Sequence, residues 1–391
     1  MEDTEENGVM SLQSKREYLG QIRSRYRRAG RVHKSKILDE YCQVCGYDRK
    51  YAIKRLAADP QRPRRKAGRK PRYDKELLLP VLKRVWLASD QMCSKRLRAA
   101  LPQWLPHLRP LSVTCRAQLL ALSPATMDRL LQPLRVRYPG KGLCGTKPGT
   151  LLKHHIPIRT GNWDITRPGF IEADTVAHCG HSLAGNFVWS LVFTDIFSGW
   201  TQLRAVWNKG AAGIQAQIAD LEKQTPFALE GFDCDNGSEF LNYPLLDYFT
   251  QREQPVAFTR SRPYHKNDNA HVEQKNWTHV RQLLGWDRLE NPQLVSPIND
   301  LYRAEWSAYQ NFFCPSMKLV SKARVRSRYV KRYDPPQTPY ARLLQSPAVS
   351  AENKKRLQAA YARLNPFALK KTIEQKLKRI LLSRGSSMPS Q

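Results

Sequence analysis

Acidic side chains are scarce in this chain. Across 391 residues it sets 34 Asp and Glu against 65 Lys and Arg, a formal charge of +31. An imbalance of that size argues against an enzyme of neutral substrates and for a polyanionic partner. Long apolar runs are missing as well. No stretch approaches the ~20 residues that span a bilayer, so no membrane role is expected. The opening MEDTEENG is acidic where a signal peptide would be basic, and none is expected. Closely spaced cysteines are nearly absent: eight in all, with the single pair Cys42 and Cys45, fit free thiols in a reducing cytosol. No glycine-rich phosphate loop of the P-loop type is present, which argues against ATP-dependent chemistry. What the chain does have is apolar material, 41% of residues, enough for real cores in two to four domains.

Residues 1–60 read as a three-helix domain. Leu12, Leu19, Ile22 and Tyr26 share a face of the first helix, and Ile37, Leu38, Tyr41, Cys42 and Cys45 share one of the second, which Gly46 ends. The third, about 48–58, is expected to bury Tyr51, Ile53 and Leu56 and to turn Arg49, Lys50, Lys54 and Arg55 outward. A helix, a glycine turn and a basic helix make the pattern of a helix-turn-helix, and equally that of a plain bundle with a solvated basic face. Core packing is the better reading of Cys42 and Cys45, since His33 stands alone beside them and a zinc site needs more ligands. Residues 61–73 follow as a basic linker carrying Arg62, Arg64, Arg65, Arg69 and Arg72, suited to solvent or to a DNA minor groove. A second helical domain, 74–137, is expected from an apolar face at Leu77, Leu78, Val81, Leu82, Val85 and Trp86, with Ser123 capping its last helix. A second helix-turn-helix is plausible there. Residues 138–168 read as a linker.

Residues 169–289 change character to α/β: strand, strand, strand, helix, strand, helix, strand, helix. The strands fall at Phe170–Val176, Phe187–Phe197, Thr201–Trp207 and Phe227–Asp233, and a helix at Ala211–Gln224. Three carboxylates stand out. Asp174 lies near the end of the first strand. Asp235 follows sixty-one positions later, where Asn236-Gly237 breaks another strand. Glu273 follows after thirty-seven intervening residues, on a helix expected to run to about Leu284. Two strand ends and a helix delivering carboxylates suit a hard, oxygen-loving divalent cation. The alternative is that all three are solvated. Glu172 and Asp233, two residues upstream on the same strand faces, are rivals for the first two positions. On the helix, Asn269, Asn276, Trp277 and Val280 fall within about 60° of Glu273.

The strings DCDNGSEF and RPYHKNDNAHVEQKNW, with GFIEADTVAHCG and FVWSLVFTDIFSGW ahead of them, resemble the acidic blocks of the integrase catalytic core. That core is shared by retroviral integrases and bacterial insertion-sequence transposases of the DDE superfamily. The resemblance covers residues 169–289. It implies a ribonuclease H-like fold with Asp174, Asp235 and Glu273 as catalytic residues and ligands of Mg2+, with Mn2+ able to substitute. It further implies hydrolysis at the ends of a mobile element, then attack of the freed 3′-hydroxyl on target DNA. The implied partners are both DNAs and further copies of the protein assembled on them, at the nucleoid in the cytoplasm. In the family, basic residues after the glutamate contact the element end, which by the same likeness points to Lys275 and Arg281, a solvated lysine being the equal alternative for Lys275; Lys266 is a further candidate DNA contact. Two other readings stay open: a nuclease that only hydrolyses, and a domesticated DNA-binding regulator whose core is structural.

Beyond residue 289 lies a basic C-terminal region, 290–391. Residues 321–391 carry seventeen basic and three acidic side chains. One or two short strands are expected at Lys322–Tyr333, as a small β module, and helices over Ala351–Leu382 with a break at Asn365-Pro366. His178-Cys-Gly-His181 falls in the turn after the first strand and reads as a polar hairpin, lacking further ligands nearby.

Overall fold

The computed structural model describes residues 10–58, 73–108, 110–135, 166–235, 237, 239–261 and 270–383. The chain divides into two compact units, 1–72 and 73–391.

The first unit is three helices, α1 (Leu12–Arg28), α2 (Arg31–Cys45) and α3 (Arg49–Ala57). Their ends follow local chemistry: the Ser11 side chain accepts from Ser14 N, and Asp48 accepts from Lys50 N and Tyr51 N. Gly46 closes α2 in the left-handed conformation, φ 68°. Leu19, Ile22, Ile37, Leu38, Tyr41, Cys45, Ala52 and Leu56 form the core. Two expectations fail here. Tyr51 and Ile53 are 45% and 41% exposed, because the buried stripe of this short helix is the i, i+4 pair Ala52 and Leu56, which leaves its neighbours on the flanks. Tyr51 packs instead edge-on against Tyr47, ring centroids 4.9 Å apart. Leu12, at the helix start, is also exposed.

The second unit opens with α4 (Lys75–Ala88), α5 (Ser94–Trp104), α6 (Val113–Ala121) and α7 (Pro124–Arg135). Ser123 receives Thr126 N at the head of the last. A five-stranded mixed sheet follows. β1 (Phe170–Ala177), β2 (Val188–Asp195) and β3 (Thr201–Trp207) form an antiparallel meander. Then α8 (Ala211–Gln224), β4 (Gly231–Cys234), α9 (Tyr243–Thr250) and β5 (Ala257–Arg260) add two strands parallel to β1, in the order β3-β2-β1-β4-β5. The alternation of antiparallel hairpins with two helix crossovers is the one expected, and this mixed α/β core is compatible with an integrase-like domain.

Next come α10 (Ala270–Lys275), a π-helical stretch over Asn276–Arg281, and α11 (Gln282–Leu284). Then α12 (Val295–Leu301) runs through Tyr302–Trp306 into α13 (Ser307–Phe313). The hairpin β6 (Leu319–Val325) and β7 (Arg328–Tyr333) precedes α14 (Pro339–Gln345), α15 (Ala351–Ala362) and α16 (Pro366–Leu382).

Regions that read as three separate domains share one hydrophobic core, from Leu78 through the sheet to Ile380. The seams are polar as well as apolar. Trp104 Nε1 donates to Phe313 O at 3.0 Å, and the Tyr309 hydroxyl to Ala88 O at 2.7 Å. The free edge of β3 is closed by two asparagines. Asn299 bonds both backbone groups of Ala205, at 2.7 and 2.8 Å, and Asn311 those of Thr201, at 2.9 and 2.8 Å. An edge strand left open is a template for wrong pairing and an unpaid set of backbone polar groups. Here side-chain amides stand in for a sixth strand.

Candidate active site

Parallel pairing of β1 with β4 sets the site. The register places Glu172 opposite Asp233 and Ala173 opposite Cys234, so Asp174, in the middle of β1, comes next to Asp235, the residue that follows the end of β4. Neighbouring strands lie ~4.8 Å apart. Asp174 Oδ2 accepts from Asn276 Nδ2 at 2.6 Å and Oδ1 from Thr175 N at 2.7 Å. Asp235 Oδ1 accepts from Gly237 N at 2.9 Å. Burial, with the Asp235 charge beside it, raises Asp174 to about 7. Burial and the charge of Glu239 raise Asp235 to about 6. Two carboxylates that resist sharing negative charge are what a place prepared for a cation looks like.

Glu239 and Lys209 belong to this group and escaped the reading of the sequence. Glu239 is buried, taking Thr175 Oγ1 at 2.7 Å and Lys209 Nζ at 3.2 Å. Gly237 makes room for it: a Cβ there would come within 2.6 Å of the Glu239 carboxyl. The Glu four residues after Asp235 in DCDNGSEF was the available signal. Nothing local pointed to Lys209.

Glu172 and Asp233 are absorbed by the fold. Both are fully buried. Glu172 Oε2 accepts from Val272 N at 3.1 Å, and Asp233 Oδ1 from Thr259 Oγ1 at 2.5 Å. Glu172 thereby fixes the first turn of α10 onto β1, at the residue just before Glu273. Glu273 itself is exposed and stands three positions ahead of Asn276, hence on the same helix face as the residue that bonds Asp174. Among the described residues no three His, Cys, Asp or Glu side chains gather closely enough to hold a metal ion. The structure thus brings Asp174 and Asp235 together and sets Glu273 on the helix that touches them, without closing a three-ligand centre. In donor type the pair fits a hard divalent cation: carboxylate oxygens, with the buried Asn276 Oδ1 beside them lacking a hydrogen-bond partner.

The expected DNA contacts are scattered. Lys50 and Lys54 lie exposed on one side of α3, while Arg49 pairs with Asp39 and with Ser35 Oγ. Arg55 is half-buried against the Tyr51 ring. Arg62, Arg64, Arg65, Arg69, Arg72 and Lys266 lie outside the described residues. Lys275 is placed otherwise than expected. It is half-buried and turned into the unit, where burial and the charges of Arg96 and Arg342 bring its ammonium down to about 7. A π-helical stretch begins right after it, at Asn276, whose side chain bonds Asp174. Arg281 donates to Ala177 O at 2.8 Å and lies over the Trp286 ring. His178 is a core histidine. Its Nε2 meets Ser190 Oγ at 2.8 Å, which in turn meets the Tyr302 hydroxyl at 2.8 Å, and burial brings the ring down to about 3.

A mixed sheet with paired acids where one parallel strand ends beside another is the class of site this chain carries. No model of a known protein family matches it. It is 39% identical over 339 residues, 85% of this chain and 96% of the relative, to uncharacterized protein y4rM of Sinorhizobium fredii (strain NBRC 101917 / NGR234), and it belongs to that protein's family. A similar solved structure is the catalytic core domain of BIV integrase, 13% identical, covering 44% of this chain and 91% of that one with a TM-score of 0.26. At that score the likeness carries no argument here. No helix among the described residues is long and apolar enough to cross a membrane.

Proposed function

We propose that the protein is a DNA transposase, a DDE-type polynucleotidyl transferase that cuts and joins DNA at the ends of a mobile element. The observation that carries this reading is the pair Asp174 and Asp235, neighbours where β4 ends beside β1, with Asn276 linking Asp174 to the helix of Glu273. On this reading the three carboxylates hold Mg2+, which when bound activates the attacking oxygen and stabilises the leaving one in an in-line displacement. The chain's own residues do the rest. Asn276 orients Asp174, Gly237 N orients Asp235, Lys209 and Thr175 hold Glu239 away from solvent, and Glu172 seats α10 so that Glu273 faces the pair. The +31 charge supplies affinity for both the element ends and the target. Copies of the protein assemble on the DNA.

The test is strand transfer on pre-cleaved element ends with Mg2+. Asp174→Ala, Asp235→Ala and Glu273→Ala should each lower the rate at least about 10³-fold, in the range expected when charge stabilisation of a phosphoryl transition state is lost. Folding and duplex binding should stay at parental level. A Glu273→Ala protein that joins ends at the parental rate removes Glu273 from the site. A parent that nicks but never joins is a nuclease. One that binds DNA and does neither is a regulator.

A further inference from the structure

The hairpin β6–β7 is unlike every other strand pair among the described residues. Its strands pair only with each other, and every described side chain from Leu319 to Tyr333 is exposed. Residues 319–333 contain six Lys or Arg and no acid. Exposed apolar groups, Val320, Val325 and Val330, lie among the cations. An isolated two-stranded ribbon is marginal in water, and open edges with apolar flanks invite a partner.

The base of the ribbon is anchored by contrast. Arg342, only 6% exposed, donates to Ser316 Oγ, Ser316 O and Asp334 at 2.8–2.9 Å and to Ser198 O at 3.3 Å. Lys318 Nζ donates to Phe197 O at 2.7 Å, and Ser316 bridges Gln337. Asp334 is the one acid between Glu305 and Glu352, and it is committed to this base. The blade is therefore held firmly at one end and left bare along its length.

Pairing of Val325 with Arg328 leaves a two-residue turn, with Arg326 in the left-handed region at φ 54°. That position favours glycine or asparagine, so an arginine at the tip is held there against backbone preference. The register puts Arg328 and Arg332 on one face and Arg324 and Lys331 on the other. A ribbon cationic on both faces matches a ligand that presents phosphate on two sides.

We infer that β6–β7 is a DNA-binding arm that lies in the major groove of a duplex, its two cationic faces toward the two phosphate walls and its tip, Arg326, toward base edges. The major groove, about 12 Å wide, admits a two-stranded ribbon, and seven residues at ~3.4 Å each give the arm a reach of roughly 24 Å. The arm shares its ligand, duplex DNA, with the function proposed above, but it is read by binding alone.

The test uses the full chain with Arg324, Arg326, Arg328, Lys331 and Arg332 all changed to Ala, titrated with labelled duplex over a range of salt. Each lost phosphate contact should flatten the slope of log affinity against log salt by about 0.9, so a flattening of about four and an affinity loss of at least about tenfold are expected. Methylation of guanine N7, a major-groove atom, should interfere with binding by the parent and not by the variant. An unchanged slope overturns the arm, as does a parent indifferent to N7 methylation. A protein that binds through the arm yet joins no ends counts against the transferase reading only, and one that joins ends with an idle arm counts against the arm only.

Discussion

Two pairs of carboxylates sit two residues apart on the same two strands. Glu172 and Asp233 are register partners across β1 and β4, and Asp174 and Asp235 each stand two residues further along the chain. In residue type and strand face they are nearly equivalent. In surroundings they are opposite. The upstream pair is fully buried and bonded to Val272 N and Thr259 Oγ1, whereas the downstream pair is half-buried and raised in pKa partly by neighbouring acid charge. Surroundings decide which acid builds the fold and which is left for chemistry: the upstream pair lies where β1 and β4 still run together, and the downstream pair where β4 has ended.

Removing one acid from each pair should separate the two roles. Glu172→Ala leaves Val272 N buried without its acceptor and unseats α10, and about 1–3 kcal/mol of stability should go with it. Strand transfer should fall too, because Glu273 rides on that helix. Asp174→Ala should abolish strand transfer and leave the urea midpoint where it was or higher. If both variants lose the same stability in urea unfolding, the distinction between the pairs is false.

The local part of this architecture was legible in the sequence. Thr201–Trp207 and Ala211–Gln224 fall where periodicity puts them, Ser123 receives the head of α7, and the tail breaks at Asn365-Pro366. Those signals are short-range: alternation, capping, a missing N–H. What was not legible depends on partners far apart in the chain. Asn299 and Asn311 look like ordinary polar helix residues until β3 lies beside them. Glu239 and Lys209 are thirty positions apart and meet only through the sheet. The fusion of 74–135 with the sheet rests on apolar faces whose periodicity is the same whether they cover each other or a neighbour. Of the candidate site, the acids could be named from their motif, but the inward turn of Lys275 is set against Arg96 and Arg342, far away in the chain, which local spacing does not encode.

A cation distinguishes the pairs more gently than mutation does. Binding to the native state stabilises by RT ln(1 + [L]/Kd), about 2.7 kcal/mol at a hundred times Kd. With the downstream pair as the binding site, millimolar Mg2+ should raise the melting temperature of the parent. The shift should vanish in Asp235→Asn. Asp233→Asn should keep the shift while melting lower throughout. Calorimetric scans with and without Mg2+ measure this directly, and an equal shift in all three proteins would place the ion elsewhere.

Glu239 falls between the two kinds of acid, and the smallest effect is expected there. It is buried like the upstream pair, with Thr175 and Lys209 as partners, yet its charge bears on both downstream acids. Changing it to Gln keeps the shape and an acceptor for Thr175 but removes a negative charge next to Asp235. Two consequences follow from that one change. The site loses part of its attraction for a cation, and Lys209 loses its counter-charge and presses on Asp235 alone. Strand transfer should fall about tenfold, roughly 1.4 kcal/mol in the barrier, and saturating Mg2+ should restore most of it, since the residue tunes the site without ligating in it. Stability should change by less than about 1 kcal/mol. A loss as deep as that of Asp174→Ala, unrelieved by Mg2+, would make Glu239 a member of the metal site. No loss at all would make it a residue of the fold alone.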